Sequence, residues 1–298
     1  MIRPAAFAYN PETAVNNTFQ RAREAGANER IQSGAQQEFD RLTETLRSEN
    51  IDVLVIEDDP LPPKPDAVFP NNRLATMPDG ELILFPMYAP LRRKERRKDP
   101  VNLLMKRYAF KKLSDLSHFE KEGRFPGGTG SMVFDHDAKI AYACRSDRTN
   151  EKLFLEFCRQ RGYRPLLFGA EDPKGQAIYH TNVMMSIGKK MALVCFECIP
   201  VCEERNKLRA ALTESGKELI AVSKEQMQDF ACNALEVKDK KGRSLLLMSN
   251  RAFCSLGHEQ LQQIEAHAIP IHSDISGIEK TGGGSVRCML AELYLPVG

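Results

Sequence analysis

The sequence carries almost no net charge. Its 42 Lys and Arg stand against 40 Asp and Glu, a formal +2. That balance excludes a global field drawing the chain to nucleic acid or to an anionic membrane. No window approaches about 18 uncharged apolar residues, so no membrane-spanning helix is expected. The first residues, Met1 to Ala6, lack the apolar core of a secretory signal. Eight cysteines without such a signal read as reduced thiols of a cytoplasmic protein. Cys195-Phe-Glu-Cys198 with Cys202 is half of a zinc site, and no second pair follows at suitable spacing. No metal or other cofactor is therefore expected. Gly127-Gly-Thr-Gly130 lacks the Lys-Ser/Thr of a phosphate loop. The basic run Arg92-Arg-Lys-Glu-Arg-Arg-Lys98 lacks a flanking aromatic platform. It reads as a solvated helix start near a pocket mouth, where it could attract a substrate carboxylate.

What is present is a soluble globular composition, 42% hydrophobic and 28% charged over 298 residues. The informative stretch is Thr281-Gly-Gly-Gly-Ser-Val-Arg-Cys288. Glycines let backbone come close to a ligand, and an apolar run, Met289 to Leu295, follows. Cys288 is a candidate nucleophile if a histidine reaches it, and otherwise a buried core thiol. Of the histidines away from the motifs below, only His272, near Asp274, is kept as an alternative base.

The chain reads as a first strand at Ile2–Tyr9, a helix within Asn17–Asn50 and a strand at Ile51–Ile56. An extended Pro-rich segment, Asp59–Pro65, follows. Then hairpins recur: 66–76 with 81–85, 130–134 with 139–143, 181–187 with 191–195, and 233–237 with 244–248. A fifth opens at Ser285. The opening residues Asn71, Gly130, Asn182, Asn233 and Ser285 are spaced by 59, 52, 51 and 52 positions. Helical patterns lie between them, as at Asn150–Cys158 and Glu203–Ser215. Short strands follow at 165–168 and 219–222. A period near 50 means one repeated supersecondary unit. Five units with strands at both ends predict a closed ring. An α/β sandwich with chance spacing is the competing arrangement. In the ring, Asp66, Asn71, Gly130, His180, Asn182, Asn233 and Cys288 converge on one central pocket.

Four strings, Asp66-Ala-Val-Phe-Pro-Asn-Asn72, Gly128-Thr-Gly-Ser131, Tyr179-His-Thr-Asn-Val183 and Gly282-Gly-Gly-Ser-Val-Arg-Cys288, resemble the guanidino-group-modifying superfamily. It includes arginine deiminases, dimethylarginine dimethylaminohydrolases and glycine amidinotransferases. Arg3-Pro-Ala5, Asn10–Asn16 and Phe196–Pro200 extend the likeness toward the amidinotransferase-like, citrulline-utilisation branch. The resemblance implies a five-bladed α/β-propeller, the pentein fold, of ββαβ-type modules, taken as one domain over 1–298. It implies a hydrolase acting on C–N bonds of a small guanidino or ureido amino acid, with an amidinotransferase or a catalytically impaired binding relative as alternatives. Homodimerisation stays open. Carried over by position, Cys288 is the nucleophile, His180 the acid/base and Asp66 a substrate carboxylate. Asn71, Asn182, Asn233 and Gly127 complete the expected substrate-binding set.

Two departures matter. Gly127 stands where the branch has glutamate, and the acid that orients the histidine is missing unless a neighbour such as Glu122 replaces it. Asn182 stands where deiminases and amidinotransferases have aspartate. A cationic guanidinium calls for anionic partners and a neutral urea does not. The missing acids favour a ureido substrate such as citrulline over arginine.

Overall fold

Four times along the chain a strand, a reversed strand, a helix and a third strand recur. The computed structural model describes residues 1–21 and 28–294. The repeats are β3 (Leu74–Thr76), β4 (Glu81–Leu84) and β5 (Lys112–Asp115), then β6 (Val133–Asp135), β7 (Ile140–Cys144) and β8 (Arg164–Phe168). They continue with β9 (Met185–Ile187), β10 (Met191–Val194) and β11 (Glu218–Ala221), and with β12 (Leu235–Lys238), β13 (Ser244–Ser249) and β14 (Ile269–Ser273). Each middle strand pairs antiparallel with the first and parallel with the third. A parallel pair needs a crossover connection. Helices Lys98–Arg107, Glu151–Arg161, Cys202–Glu214 and His258–Glu265 lie in those crossovers. A fifth unit joins β1 (Ile2–Arg3) in parallel to β2 (Ile56–Glu57) across the helix Asn28–Ser48.

The expected strand openings are helical turns. Pro70–Asn72, Gly128–Ser131 and Thr181–Val183 each precede a first strand. At the ring centre no strand lies alongside, so the backbone satisfies itself within the turn. Arg73 N donates to Pro70 O at 3.1 Å, Met132 N to Gly128 O at 3.0 Å and Met184 N to Thr181 O at 3.0 Å. These turns touch one another around the centre, and the turn Val286–Met289, which carries Cys288, meets Pro70–Asn72. The arrangement is an α/β propeller.

β1 is shorter than expected because Pro4 has no donor for a ladder. β2 is correspondingly short. The closing segment also differs from expectation. By the repeat, residues 290–294 stand where a first strand belongs beside β1, but among the described residues they form none. Instead Tyr294 N donates to the Thr76 hydroxyl at 2.8 Å, and that hydroxyl donates to Glu292 O at 2.9 Å. An apolar cavity of about 440 Å³ lies between β1 and this segment. Part of the helix expected from Asn17, residues 22–27, and the last residue of the expected closing run, Leu295, fall outside the described residues.

Helix Glu151–Arg161 shows why these elements form. The Asn150 side chain accepts from Leu153 N at 3.0 Å, capping the first turn. Leu153, Phe154, Phe157 and Cys158 recur at helical spacing and are buried. Gly162, at φ 69°, ends the helix in the left-handed region. Phe154 and Phe157 pack with Ala141 and Ala143 of β7, which ties the helix to its sheet.

Truncating Phe154→Ala should cost about 3–5 kcal/mol of stability by leaving a cavity. Asn150→Ala should cost about 1 kcal/mol by uncapping the helix. Urea unfolding measures both; equal losses would contradict the assigned packing.

Candidate active site

The site is built from the central turns. Asp66 lies in a turn over 65–68, in place of the expected strand; Phe69 N closes it on Asp66 O at 3.0 Å, and the turn Pro70–Asn72 follows. Asp66 is buried. Its Oδ2 accepts from Asn10 Nδ2 at 2.7 Å and Thr13 Oγ1 at 3.3 Å, while Oδ1 has no partner. Burial pushes its carboxyl up, against the pull of Arg92.

Arg92 enters from the basic run, but it is buried, not solvated. It donates to Glu95 through Nε at 2.8 Å and Nη2 at 3.0 Å, and to Phe69 O at 2.8 Å. Its Nε stands 3.9 Å from Asp66 Oδ2. Arg148 lies in the loop after β7. Its Nη2 donates to Thr13 O at 3.0 Å and to Asn16 Oδ1, and its Nε is unpartnered. It stands over the Tyr179 ring at 4.9 Å. Burial lowers it to about 10.

His180 is buried against Tyr179, with ring centroids 4.6 Å apart. No described residue hydrogen-bonds its ring. Burial first, then Arg148 and Arg92, hold it well below the ordinary histidine range, so the imidazole is neutral. Its ring is flanked by glycine: a Cβ on Gly127 would stand 3.3 Å from Nε2, and one on Gly130 would stand 2.9 Å from Nδ1. Gly128, at φ 52°, is required, because a Cβ there would meet Asn71 O at 2.4 Å.

Cys288 sits in the turn Val286–Met289 with its N–H on Ser285 O at 2.9 Å. Gly283, at φ 64°, ends the preceding helix Ser276–Gly282, and Gly284 packs its backbone against the Phe69 ring. Tyr179 Oη and Asn17 Nδ2 both donate to Gly283 O, at 2.8 and 3.1 Å. Two amides reach the Cys288 sulfur: Asn233 Nδ2 at 3.4 Å and Asn182 Nδ2 at 3.5 Å. Asn233 also donates to Asn182 O at 3.0 Å, which fixes the pair.

Asp66, His180 and Cys288 line one cavity, with Arg92, Arg148 and Asn72. Its volume is about 20 Å³ in the measure by which about 10–15 Å³ admits one water. A second cavity of about 20 Å³ adjoins it through His180, Arg148 and Asn72 and is lined by Gly127. The other expected binding residues are placed differently. Asn182 and Asn233 address the sulfur and do not line either cavity. Asn71 is fully buried, with both side-chain polar atoms unpartnered, and its neighbour Asn72 takes the lining position. Glu122 is no substitute acid: it pairs with Arg124 at 2.9 Å and is exposed. His272 stacks on Phe253 at 4.1 Å, away from the cavity, and Asp274 accepts from Ser276 N at 3.1 Å. Cys202 is exposed, while Cys195 and Cys198 stand 3.1 Å apart in the core. Arg148, Asn72, Thr13 and Asn17 join the site beyond the expected set. Asn72 and Thr13 lie within strings that carry the family likeness; Arg148 and Asn17 lie in none, and only the tertiary fold brings them in.

The family model described as N,N dimethylarginine dimethylhydrolase, eukaryotic, matches residues 3–295. No curated protein matches the chain. Among solved structures, the substrate-bound N-terminal domain of ArgZ, an arginine dihydrolase from the ornithine–ammonia cycle in cyanobacteria, is similar at TM-score 0.73 and 16% identity. That match covers 97% of this chain and 95% of that one. AgrE bound to L-arginine matches at TM-score 0.72 and 15% identity over 97% of this chain and 39% of that one. A dimethylarginine dimethylaminohydrolase variant, as its adduct with S-methyl-L-thiocitrulline, matches at TM-score 0.64 and 16% identity, over 97% and 96%.

Behind the Cys288 loop, Ser285 Oγ donates to Glu279 Oε1 at 2.6 Å, and Glu279 Oε2 has no partner among the described residues. Burial raises the Glu279 carboxyl from 4.5 to about 7. Between those values the folded chain keeps a proton that the unfolded chain releases, so stability falls as pH rises. The loss is on the order of 3 kcal/mol across the window. Glu279→Gln should remove that slope in urea unfolding. An unchanged slope would exclude Glu279 as its source.

Proposed function

We propose, from the premise that the chain belongs to the family of eukaryotic-type N,N-dimethylarginine dimethylhydrolases, that it hydrolyses a C–N bond of a guanidino or ureido amino acid through Cys288. The observation that carries this reading is one cavity lined by Cys288, His180 and Asp66. The Cys288 sulfur attacks the central carbon of the substrate. Its proton passes to neutral His180, which delivers it to the departing nitrogen. Water then adds to the carbon and gives a proton to His180. Collapse breaks the C–S bond and returns the proton to sulfur. The amides of Asn182 and Asn233 donate to the sulfur as charge develops on it. The unpartnered Asp66 Oδ1 accepts an N–H of the substrate.

Charge narrows the substrate. Arg92 and Arg148 bring two cations to a cavity whose lining carboxylate is Asp66. Asn71, Asn72, Gly127 and Asn182 add no negative charge. Arg92 is already paired with Glu95, so a guanidinium would meet the charge of Arg148 and be balanced by one lining acid. A neutral ureido group meets no such repulsion, and the arginines suit the carboxylate of the same molecule. Citrulline fits this better than arginine or a methylated arginine. The cavity admits about one water, so a lining segment has to yield before an amino acid enters.

A second reading is binding without efficient turnover. It is favoured by the His180 ring, to which no described residue hydrogen-bonds.

Two tests follow. Ammonia or amine release should be seen with citrulline above arginine and methylated arginines, without an amine acceptor, and Cys288→Ala should abolish it. Dependence on an amine acceptor would indicate transfer instead. The second test restores the acid. Gly127 has φ −75°, open to any residue, and a Cβ there would stand 3.3 Å from Arg148 O, a close contact that needs a shift of a few tenths of an ångström. A Cβ there meets Ser131 Oγ at 2.6 Å, so Gly127→Glu is paired with Ser131→Ala. The carboxylate should raise the His180 pKa and increase kcat by roughly 10²–10⁴-fold. No gain would mean that position 127 does not serve the histidine.

A further inference from the structure

We infer that the cavity between β1 and residues 290–294 is a second ligand site, for an anionic amphiphile with an apolar body and one carboxylate. Its volume of about 440 Å³ lies within the range of small-molecule pockets, roughly 300–1,000 Å³. Leu46, Leu54, Leu84, Leu104 and Leu247 are among its apolar walls. They come from the helix Asn28–Ser48, the segment before β2 (Leu54), β4, β13 and the helix Lys98–Arg107, so the cavity is a junction between units and not a crease within one.

One end is cationic. Arg73, Arg96 and Arg97 all line it. Two of them are committed elsewhere. Arg96 pairs with Glu120 at 2.8 Å, and Arg97 with Asp59 at 3.0 Å. The N-terminal ammonium also lines this end through Met1, but burial lowers it to about 5, and it donates to Leu54 O at 2.8 Å. Arg73 is different. It is 7% exposed, and its only side-chain partner among the described residues is Glu95, at a long 3.5 Å. Glu95 in turn is held more closely by Arg92. The Nε and Nη2 of Arg73 therefore have donors to spare at the end of an apolar cavity. A buried guanidinium with unused donors is costly unless an anion or water meets it. A carboxylate fits its fork, and the apolar walls select a hydrocarbon body over a polar one. Of the other acidic lining groups, Glu292 pairs with Arg287 at 2.8 Å, Glu236 accepts from Lys189 N at 2.8 Å, and Asp52 lies in the segment before β2.

The test is calorimetric titration of the full chain with decanoate, and with decanol as the neutral comparator. Decanoate should bind saturably, one per chain. Arg92 keeps both oxygens of Glu95 when Arg73 is removed, so the variant is Arg73→Gln, its folding checked by thermal unfolding. It should bind decanoate roughly tenfold more weakly or worse, with decanol within about threefold of the unaltered chain. Leu104→Trp, which fills the cavity from its wall, should weaken both ligands by roughly tenfold. No saturable decanoate binding, or undiminished binding to the folded Arg73 variant or to Leu104→Trp, would overturn the assignment. No turnover enters these measurements, so their failure leaves the proposed hydrolase untouched.

Discussion

Arg92 holds the site together. Its guanidinium takes both oxygens of Glu95, donates to Phe69 O and stands beside Asp66. Those contacts fix the loop from Asp66 to Phe69. The Phe69 ring in turn lies against Gly282 and Gly284, where any Cβ would come within 2.6 and 3.0 Å of ring atoms. Gly284 is the approach to Cys288. One buried cation thus sets the carboxylate, the aromatic floor and the nucleophile's loop. Burying such a charge stabilises little by itself, yet removing one partner strands the others and costs about 3–5 kcal/mol. Glu95 and Asp66 would be the stranded groups here. The carboxylates around Arg92 are therefore structural as much as functional, and only the free Asp66 Oδ1 is left to address a ligand.

The same dryness governs the acid–base group. With no hydrogen-bond partner and two arginines nearby, His180 has nothing to favour its protonated form. A neutral imidazole can accept the thiol proton, but it holds that proton weakly. Proton transfer to a leaving nitrogen is then driven, while the initial step from sulfur is uphill. The amides of Asn182 and Asn233 act on that first step, because they stabilise charge on sulfur, not on the ring. In the proposed reaction the sulfur, not the ring, is the atom that these amides stabilise.

Much of this was legible in the sequence, for a stated reason. Spacing near 50 survives because each unit must bury its own sheet, so Val133, Met185 and Leu235 start strands at equivalent places. The convergence of His180, Asp66 and Cys288 follows from that register. The roles of Asn182 and Asn233 were less legible: an amide beside a turn can face a ligand or a sulfur, and only side-chain direction decides. Arg92 is buried although its neighbours Arg93, Lys94, Arg96 and Arg97 give the run the look of a solvated face. Its burial rests on Glu95, a residue the same run contains. Arg148 carried no signal, since a lone arginine after a strand is ordinary. The closing segment was read as completing the ring, and its hydrogen bonds to Thr76 arise from a threonine hydroxyl over 200 positions away.

The two glycines against His180 show how an absent side chain can carry information. Gly130 is the more crowded: a Cβ would lie 2.1 Å from Asn72 Oδ1 and 2.9 Å from the imidazole, so two buried side chains would have to move. At Gly127 the φ is ordinary, the nearest obstacle is a serine hydroxyl that bonds to Arg148 O at 2.8 Å, and that same carbonyl would stand 3.3 Å from a Cβ. The space beside His180 Nε2 is also where Arg148 approaches, through the adjoining cavity. A glutamate there would add a second lining carboxylate beside Arg148. With glycine, Asp66 is the carboxylate that faces Arg148 in the lining, since Arg92 is paired with Glu95. On the proposed reading, one position therefore bears both on the charge the cavity offers a substrate and on the proton held by His180.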